Sequence, residues 1–295
     1  MVGWGWAREV HALDESGTYL LPWLNGGKAS GKLSPFRHTK LVRAADCPPI
    51  LSMCLLILLR GVDPRFPLII AGNRDEHRDR KAAPPGLFVG DHRRMLSPRD
   101  RTAAGTWMAV NDGGMFAGIT NFAGDPERTL TTTRGELPHL ALDQSDLAAA
   151  VAAVRTRCTA EEFNPFQLVI ADRTEATVLV HSNGRVRELA VEDPTVVLTN
   201  EHRLGGLALP PVPDVAAPDL RLEERVDRLQ QLLRDEGALT GHRILKKGGE
   251  YGTVSSSIIA VPDRDIRGMS WWYAAGEPDT VPYRDYGNLA KRLGI

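Results

Sequence analysis

Two short apolar runs constrain this chain most, because together they predict a β-hairpin. The first run covers residues 53–60, and the second begins at Pro67. Residues 61–65 between them read Gly-Val-Asp-Pro-Arg, a composition rich in turn formers. Runs of this length bounded by Gly, Pro and Asp are typical of paired strands. We therefore expect the two runs to lie side by side in an antiparallel sheet.

The hairpin brings a thiol close to charged groups. If its centre falls between residues 63 and 64, Cys54 lies opposite Asn73, and directly opposed residues are about 5 Å apart at Cβ. After a slip of one residue, Arg74 and Asp75 would still lie near Cys54. A thiol beside a guanidinium and a carboxylate is a reactive arrangement.

Cys54 directly follows Met53, which suggests a second way to activate the thiol. If translation starts at Met53 and that residue is removed, Cys54 becomes the first residue. Its α-amine, with a pKa of about 8, could then accept the thiol proton. Arg74 would stabilise the thiolate and Asp75 would orient the amine. The alternative, favoured by residue type alone, is a buried structural cysteine at the start of a strand.

The same residues carry a family resemblance. Residues 53–58 followed by Asn73, Arg74, Asp75 and Glu76 resemble the NRDE family, which includes the transport and Golgi organisation protein 2. Further matching segments are 105–110, 118–121, 133–138 and 251–253, and the resemblance extends from Met53 to about Pro278. More remotely, the layout is similar to the choloylglycine hydrolase and penicillin V acylase group of N-terminal-nucleophile hydrolases. That similarity implies an α+β fold, a four-layer αββα sandwich with the terminal cysteine on a central strand.

The resemblance also implies an activity and a set of site residues. It implies hydrolysis of linear amide (C–N) bonds with Cys54 as nucleophile, its own amine as base and no required cofactor. Asn121 matches the oxyanion-hole amide and Asn200 a second active-site asparagine, although an asparagine at a strand end often only caps a turn. Candidate substrate-binding residues in or beside the matching segments are Asn73, Trp107 and Thr120.

A non-catalytic function on the same fold is the alternative. What is known of eukaryotic relatives implies binding or trafficking of haem or an acyl lipid, although the sequence contains no haem motif. One departure bears on catalysis, because family members commonly have Arg after Tyr-Gly-Thr and this chain has Val254. No metal site is predicted, since the chain has no His-x-x-x-His and no clustered Cys and His. None of the eight histidines falls in a matching motif, so no histidine base is predicted.

Composition excludes several classes of function. Apolar residues make up 42% and charged residues 25% of the 295, as in ordinary globular proteins. The formal net charge of −1 gives no electrostatic case for nucleic acid or an acidic membrane surface. Three cysteines are too few and too scattered for a disulfide framework, which favours the cytoplasm. No run approaches the roughly 18 apolar residues of a membrane span.

The first 52 residues differ from the rest. They hold three of the six tryptophans and several turn-forming segments. No charged start precedes an apolar core, so a secretory signal is not predicted. Three interpretations remain: a misassigned start, which we favour, a propeptide removed before Cys54, or a real extension. The hydrolase-like domain is expected over residues 53–295, and an uncleaved extension would leave Cys54 without a free amine.

The remaining elements follow from periodicity and turn signals. Helices are predicted over 145–157 and 220–236, and a linker over 210–213. Strands are predicted over 106–110, 115–120, 166–171, 176–181, 185–189, 196–200, 255–261 and 270–274. Residues 84–86 and 91–94 are expected in an exposed loop. The basic cluster within 91–94 is interpreted as a solvated face, with an anion or carboxylate site as the alternative.

Overall fold

The computed structural model describes residues 54–122, 128, 130–200, 215–239 and 243–294. The predicted N-terminal extension, Met53 and the linker at 210–213 lie outside these residues. The strands are β1 (Leu55–Arg60), β2 (Leu68–His77), β3 (Ala82–Val89), β4 (Arg94–Asp100), β5 (Met108–Asn111), β6 (Phe116–Asn121), β7 (Phe166–Ala171), β8 (Ala176–Ser182), β9 (Arg185–Ala190), β10 (Thr195–Thr199), β11 (Tyr251–Val261), β12 (Ser270–Ala274) and β13 (Arg284–Asp285). The helices are α1 (Leu137–Leu142), α2 (Leu147–Ala160), α3 (Leu222–Leu233) and α4 (Gly287–Ala290).

The strands form two antiparallel sheets. The first has six strands in the order β10-β1-β2-β11-β12-β13, so the hairpin β1–β2 lies inside the sheet. The second has seven strands in the order β3 to β9, each paired with the next along the chain. Gln167, fully buried in β7, donates through Nε2 to the backbone oxygen of Thr199 in β10, 2.7 Å away. This bond links the two sheets beside Asn200.

Three apolar cores separate four layers. Between the sheets, side chains of both interdigitate, including Leu56 and Ile70 from the first sheet and Phe116 from the second. The outer face of the second sheet packs on α1 and α2, and that of the first packs on α3 through Leu229. Successive residues along a strand point to opposite faces of the sheet, so each strand contributes side chains to two cores. The predicted α+β, four-layer αββα sandwich is confirmed.

The first hairpin forms as predicted, but its register differs by one residue. Leu55, not Cys54, pairs with Asn73. The strand pair closes where Gly61 donates to the oxygen of Pro67 across 2.8 Å, which leaves a connection of odd length. Gly61 adopts a positive φ of 66°, a conformation that glycine accepts without steric cost. Continuing the register places Cys54 opposite Arg74.

The predicted exposed loop at 84–86 is wrong. These residues lie in β3, the edge strand of the second sheet, where the register shifts between Ala83 and Gly86. An edge strand with a bulge tolerates proline because few of its N–H groups must pair. Residues 91–93 do form the following turn, and their backbone N–H groups donate to the carboxylate of Asp143. The Asp143 carboxylate therefore occupies the position that a bound anion would have in the alternative interpretation of this cluster.

The other predicted elements match within a few residues. Asn183 and Gly184 both have positive φ, 51° and 67°, as expected for the two central residues of a tight hairpin turn. Helix α2 begins after Asp146, whose side chain accepts from the N–H of Ala149 at 2.9 Å and so caps the helix. No helix in the described ranges combines the length and apolar character needed to cross a membrane.

Candidate active site

A cavity of about 470 Å³ lies where the start of β1 meets the second sheet. Most of its lining residues are polar. The residues discussed below that line it are Cys54, Arg74, Asp75, Glu76, His77, Arg80, Asp100, Trp107, Asn121, Asn200 and Tyr251. The cavity thus brings together residues that are as far as 197 positions apart in the chain, counting from 54 to 251.

Cys54 lies at the start of the central hairpin. It alternates with Leu56 and Leu58, which face the core between the sheets. Its thiol donates to the backbone oxygen of Asp75, with Sγ 3.4 Å from that oxygen. The Tyr251 hydroxyl donates to the same oxygen at 2.7 Å. The carbonyl of Asp75 is therefore the point where β1, β2 and β11 meet at the site.

The thiol of Cys54 is held in its neutral form. Removal from water, together with the Asp75 carboxylate, raises the pKa of Cys54 to about 12, although the hydrogen bond to the Asp75 backbone and the guanidinium of Arg74 oppose the rise. A thiol with such a pKa is a poor nucleophile near neutral pH without a base. Among the described residues, no histidine forms a hydrogen bond with Cys54.

The Asn-Arg-Asp-Glu run of β2 divides between the two faces of the first sheet. Arg74 and Glu76 lie on the cavity side and pair with each other at 3.6 Å. Asn73 and Asp75 face the helix layer. The amide of Asn73 donates to the backbone oxygens of Leu233 and Ile244 at 2.9 and 3.3 Å. Strand alternation alone produces this division.

Arg74 is fixed by several partners on the cavity side. Its guanidinium carbon lies 4.6 Å from the ring centre of Trp107, within the range of a cation–π interaction. Its Nη2 is 3.5 Å from a carboxylate oxygen of Asp100, which also accepts from Nε of Arg80 at 2.7 Å. Its Nη1 is buried and, among the described residues, has no hydrogen-bond partner. These contacts hold the guanidinium of Arg74 between Trp107 and Asp100.

Asp75 is almost fully buried, and its carboxylate has two partners. The Thr253 hydroxyl donates to Oδ1 at 2.7 Å, and the ammonium of Lys246 lies 3.7 Å from Oδ2. Burial raises the pKa of Asp75 to about 6, while Thr253 and Lys246 oppose that rise. A substantial fraction of the carboxylate is therefore ionised near neutral pH.

Most of the sequence-predicted site residues meet in the cavity, and two do not line it. Asn121, at the end of β6, and Asn200, just after β10, line it together with Cys54 and Trp107. Asn73, expected to bind substrate, instead holds the end of α3. Thr120 alternates with Asn121 and is buried between the sheets, directly opposite Gln167.

Other residues at the site had no sequence signal. Arg80 and Asp100 complete the ion pairs around Arg74, and Lys246 reaches Asp75 from the segment after α3. These three residues are recognised as part of the site only from contacts between residues that are far apart in the sequence. Val254 falls at a register shift in β11 between Thr253 and Ser255 and does not line the cavity. Among the described residues, no group of three or more His, Cys, Asp or Glu could hold a metal ion.

A comparison with family models tests the family resemblance that the sequence motifs suggest. The model described as Transport and Golgi organisation 2 matches residues 53–238. The chain belongs to the Transport and Golgi organisation 2 family. The match covers Cys54, Asn73 to Glu76, Asn121 and Asn200, and ends before the segment 251–253. A comparison with curated proteins found no match.

Solved structures show what the fold of this Transport and Golgi organisation 2 family chain is similar to. A penicillin V acylase from Agrobacterium tumefaciens has a TM-score of 0.52 at 13% identity, over 82% of this chain and 90% of that one. A mutant conjugated bile acid hydrolase from Clostridium perfringens has a TM-score of 0.47 at 11% identity, over 79% and 92%. At this identity the likeness to the acylase establishes a shared fold and no more.

Proposed function

We propose that the chain is a cysteine N-terminal-nucleophile hydrolase that cleaves linear amide bonds of small molecules, with Cys54 as nucleophile. The observation that carries the proposal is the placement of Cys54 in a polar cavity with Arg74, Asn121 and Asn200. An amide hydrolase of this type needs a nucleophile, a base and donors for an oxyanion in one water-accessible site. Cleavage before Cys54 supplies the base.

The proposed reaction then has two half-reactions, acylation of Cys54 and hydrolysis of the resulting thioester. The free α-amine of Cys54 takes the thiol proton, and Sγ attacks the amide carbon to form a tetrahedral oxyanion. Asn121 donates to that oxyanion. The C–N bond breaks, the α-ammonium returns the proton to the leaving amine, and a thioester on Cys54 remains. Water, deprotonated by the same α-amine, attacks the thioester and releases the acid and the thiol.

Charged neighbours prepare the nucleophile. Arg74 lies opposite Cys54 in the hairpin and lowers the pKa of its thiol. Asp75 holds Cys54 through its backbone oxygen, and its carboxylate is the counter-charge for the α-ammonium formed in each half-reaction. With residue 53 attached, the nitrogen of Cys54 is an amide and cannot act as a base. The proposal therefore requires release of the preceding residues.

The test is a mass measurement of protein treated with an activated acyl donor or a simple N-acyl amide. An acyl adduct on Cys54 that is absent in Cys54→Ser supports the mechanism. Turnover by protein with an intact bond between residues 53 and 54 contradicts it.

A second candidate is non-catalytic binding of haem or an acyl lipid in the same cavity. One observation favours it: His77 lines the cavity with its ring 5.4 Å from that of Tyr251, and a histidine is a common haem ligand. Titration of haem into the protein would then give a Soret shift that His77→Ala abolishes and Cys54→Ser does not. A spectrum that Cys54→Ser changes and His77→Ala leaves unaltered would contradict this candidate.

A further inference from the structure

Lys246 approaches the candidate active site from behind the sheet. It lies in the segment between α3 and β11, on the helix-facing side of β2. Its Nζ is 3.7 Å from Oδ2 of Asp75 and is buried, with no hydrogen bond to any residue that the structure describes. Oδ2 is likewise buried and has no hydrogen-bond partner among the same residues. Two opposite charges removed from water thus have each other as their ionic partner.

The backbone around Lys246 is fixed to the same group of residues. Thr253 donates through Oγ1 to Oδ1 of Asp75, and the same Oγ1 accepts from the backbone N–H of Lys246 at 3.0 Å. The preceding Ile244 accepts from the amide of Asn73. The segment is therefore held by both helix-facing side chains of the Asn-Arg-Asp-Glu run.

The other charged and titratable groups around Asp75 act from the opposite face or on its backbone. Arg74 and Glu76 pair on the cavity side, and Cys54 and Tyr251 donate to its backbone oxygen. Among the described residues, Lys246 is the cation that forms an ion pair with the Asp75 carboxylate. Without that cation, a carboxyl group as buried as Asp75 would favour the neutral form.

We propose that Lys246 is a positioning residue that keeps the carboxylate of Asp75 ionised and fixes Asp75 behind Cys54. The inference rests on the proposed function for the reaction it serves. An ionised Asp75 stabilises the α-ammonium of Cys54 formed in each half-reaction, whereas a neutral carboxylic acid does so far less. A fixed Asp75 also keeps its carbonyl directed at the thiol. Lys246 thereby extends the active site by one residue that does not touch substrate.

The test compares Lys246→Met with Lys246→Arg, which keeps the charge, and with Lys247→Met. Lys247 is the matched control because it is paired with Glu236 and Asp279 instead. In protein that begins at Cys54, the Asp75 pKa is measured by carbon-13 NMR of its carboxyl group. We expect a rise of about one unit or more in Lys246→Met and none in the other two. An unchanged pKa in Lys246→Met overturns the inference.

Turnover separates this inference from the proposed function. For Lys246→Met, kcat/KM relative to wild type should fall roughly tenfold at pH 5 and recover at pH 8, and Lys246→Arg should restore the wild-type profile. A uniform loss at every pH would mean a merely structural role and overturn the inference. A shifted Asp75 pKa in a protein that hydrolyses no amide would leave the coupling standing and contradict the proposed function.

A folding defect would not hide the result. If Lys246→Met fails to fold, the double variant Asp75→Asn, Lys246→Met is compared with Asp75→Asn. Since Lys246 acts through the Asp75 charge, its removal should cost little stability once that charge is gone. A double variant as defective as Lys246→Met alone overturns the inference.

Discussion

The thiol of Cys54 donates to the backbone oxygen of Asp75, with 3.4 Å between sulfur and oxygen. The bond requires a protonated sulfur, and the raised pKa of Cys54 agrees with that state. The chemistry therefore depends on a base that takes this proton when substrate is bound. In the proposed mechanism the free α-amine of Cys54 is that base, so the mechanism requires processing before Cys54.

Uncleaved protein should have an unreactive Cys54. With the thiol pKa raised from 9.0 to about 12, the thiolate fraction at neutral pH is about a thousandfold lower than for an ordinary cysteine. The rate of alkylation by iodoacetamide, followed by mass spectrometry in a variant lacking Cys47 and Cys158, measures this. Protein that begins at Cys54 should react much faster, and equal rates would contradict the role of the amine.

Removal of the Asn121 amide should slow the chemical step and leave substrate binding nearly unchanged. An oxyanion donor contributes about 2.7–4 kcal/mol to barrier lowering, so Asn121→Ala should lower kcat by roughly 10²–10³. Steady-state kinetics measures both constants. Asn288→Ala, at an exposed position in α4, is the control. A change in KM alone would assign Asn121 to substrate binding instead.

Asparagine 73 should matter for stability more than for substrate affinity. Asn73→Ala removes two hydrogen bonds that fasten α3 and residue 244 to β2 and leaves their carbonyls unsatisfied. We expect a loss of about 1–3 kcal/mol in the free energy of unfolding, measured by denaturant titration. The KM of folded protein should not change. A raised KM with unchanged stability would restore the substrate-binding role that the sequence suggested.

The stability difference between wild type and Asp75→Asn should depend on pH. The pKa of Asp75 is about 6 in the folded protein against the ordinary aspartate value of 3.8, so the native state binds the proton more tightly. The stabilisation is present below pH 3.8 and is lost as the pH rises through 6. Between pH 4.5 and 7, wild type should lose about 2 kcal/mol relative to Asp75→Asn. A difference independent of pH, in urea unfolding, would contradict this pKa.

Thr253→Val tests the hydrogen bond to the buried carboxylate. Loss of a bond to a charged group costs about 1.5–3 kcal/mol, and the Asp75 pKa should rise because the hydroxyl favours the ionised form. Denaturant unfolding at neutral pH measures the first effect. The control Thr280→Val removes an exposed hydroxyl that donates to the oxygen of Glu277 and should be nearly neutral. Equal effects of the two variants would contradict the assignment.

The sequence predicted the hairpin beside Cys54 because short apolar runs and turn residues are local signals, and it predicted the four-layer sandwich through its resemblance to the N-terminal-nucleophile hydrolases. It did not predict the register, since the odd length of the connection after Gly61 depends on how that glycine closes the turn. A one-residue slip exchanges the two faces of a strand. That slip explains why Asn73 faces α3 and Arg74 faces the cavity.

The missed site residues share one cause. Arg80, Asp100 and Lys246 reach the site through contacts that neither periodicity nor a short motif encodes. Strand β3 was missed for another reason. Its Pro84 and Pro85 resemble a loop, and only its place at a sheet edge makes them compatible with a strand.

The most direct test of the central claim is mass spectrometry of active protein after incubation with an N-acyl amide. The account predicts a chain whose first residue is Cys54, carrying an acyl mass on that residue that hydroxylamine removes. Hydrolytic activity in protein that keeps the peptide bond between residues 53 and 54, without any acyl mass on Cys54, would contradict it.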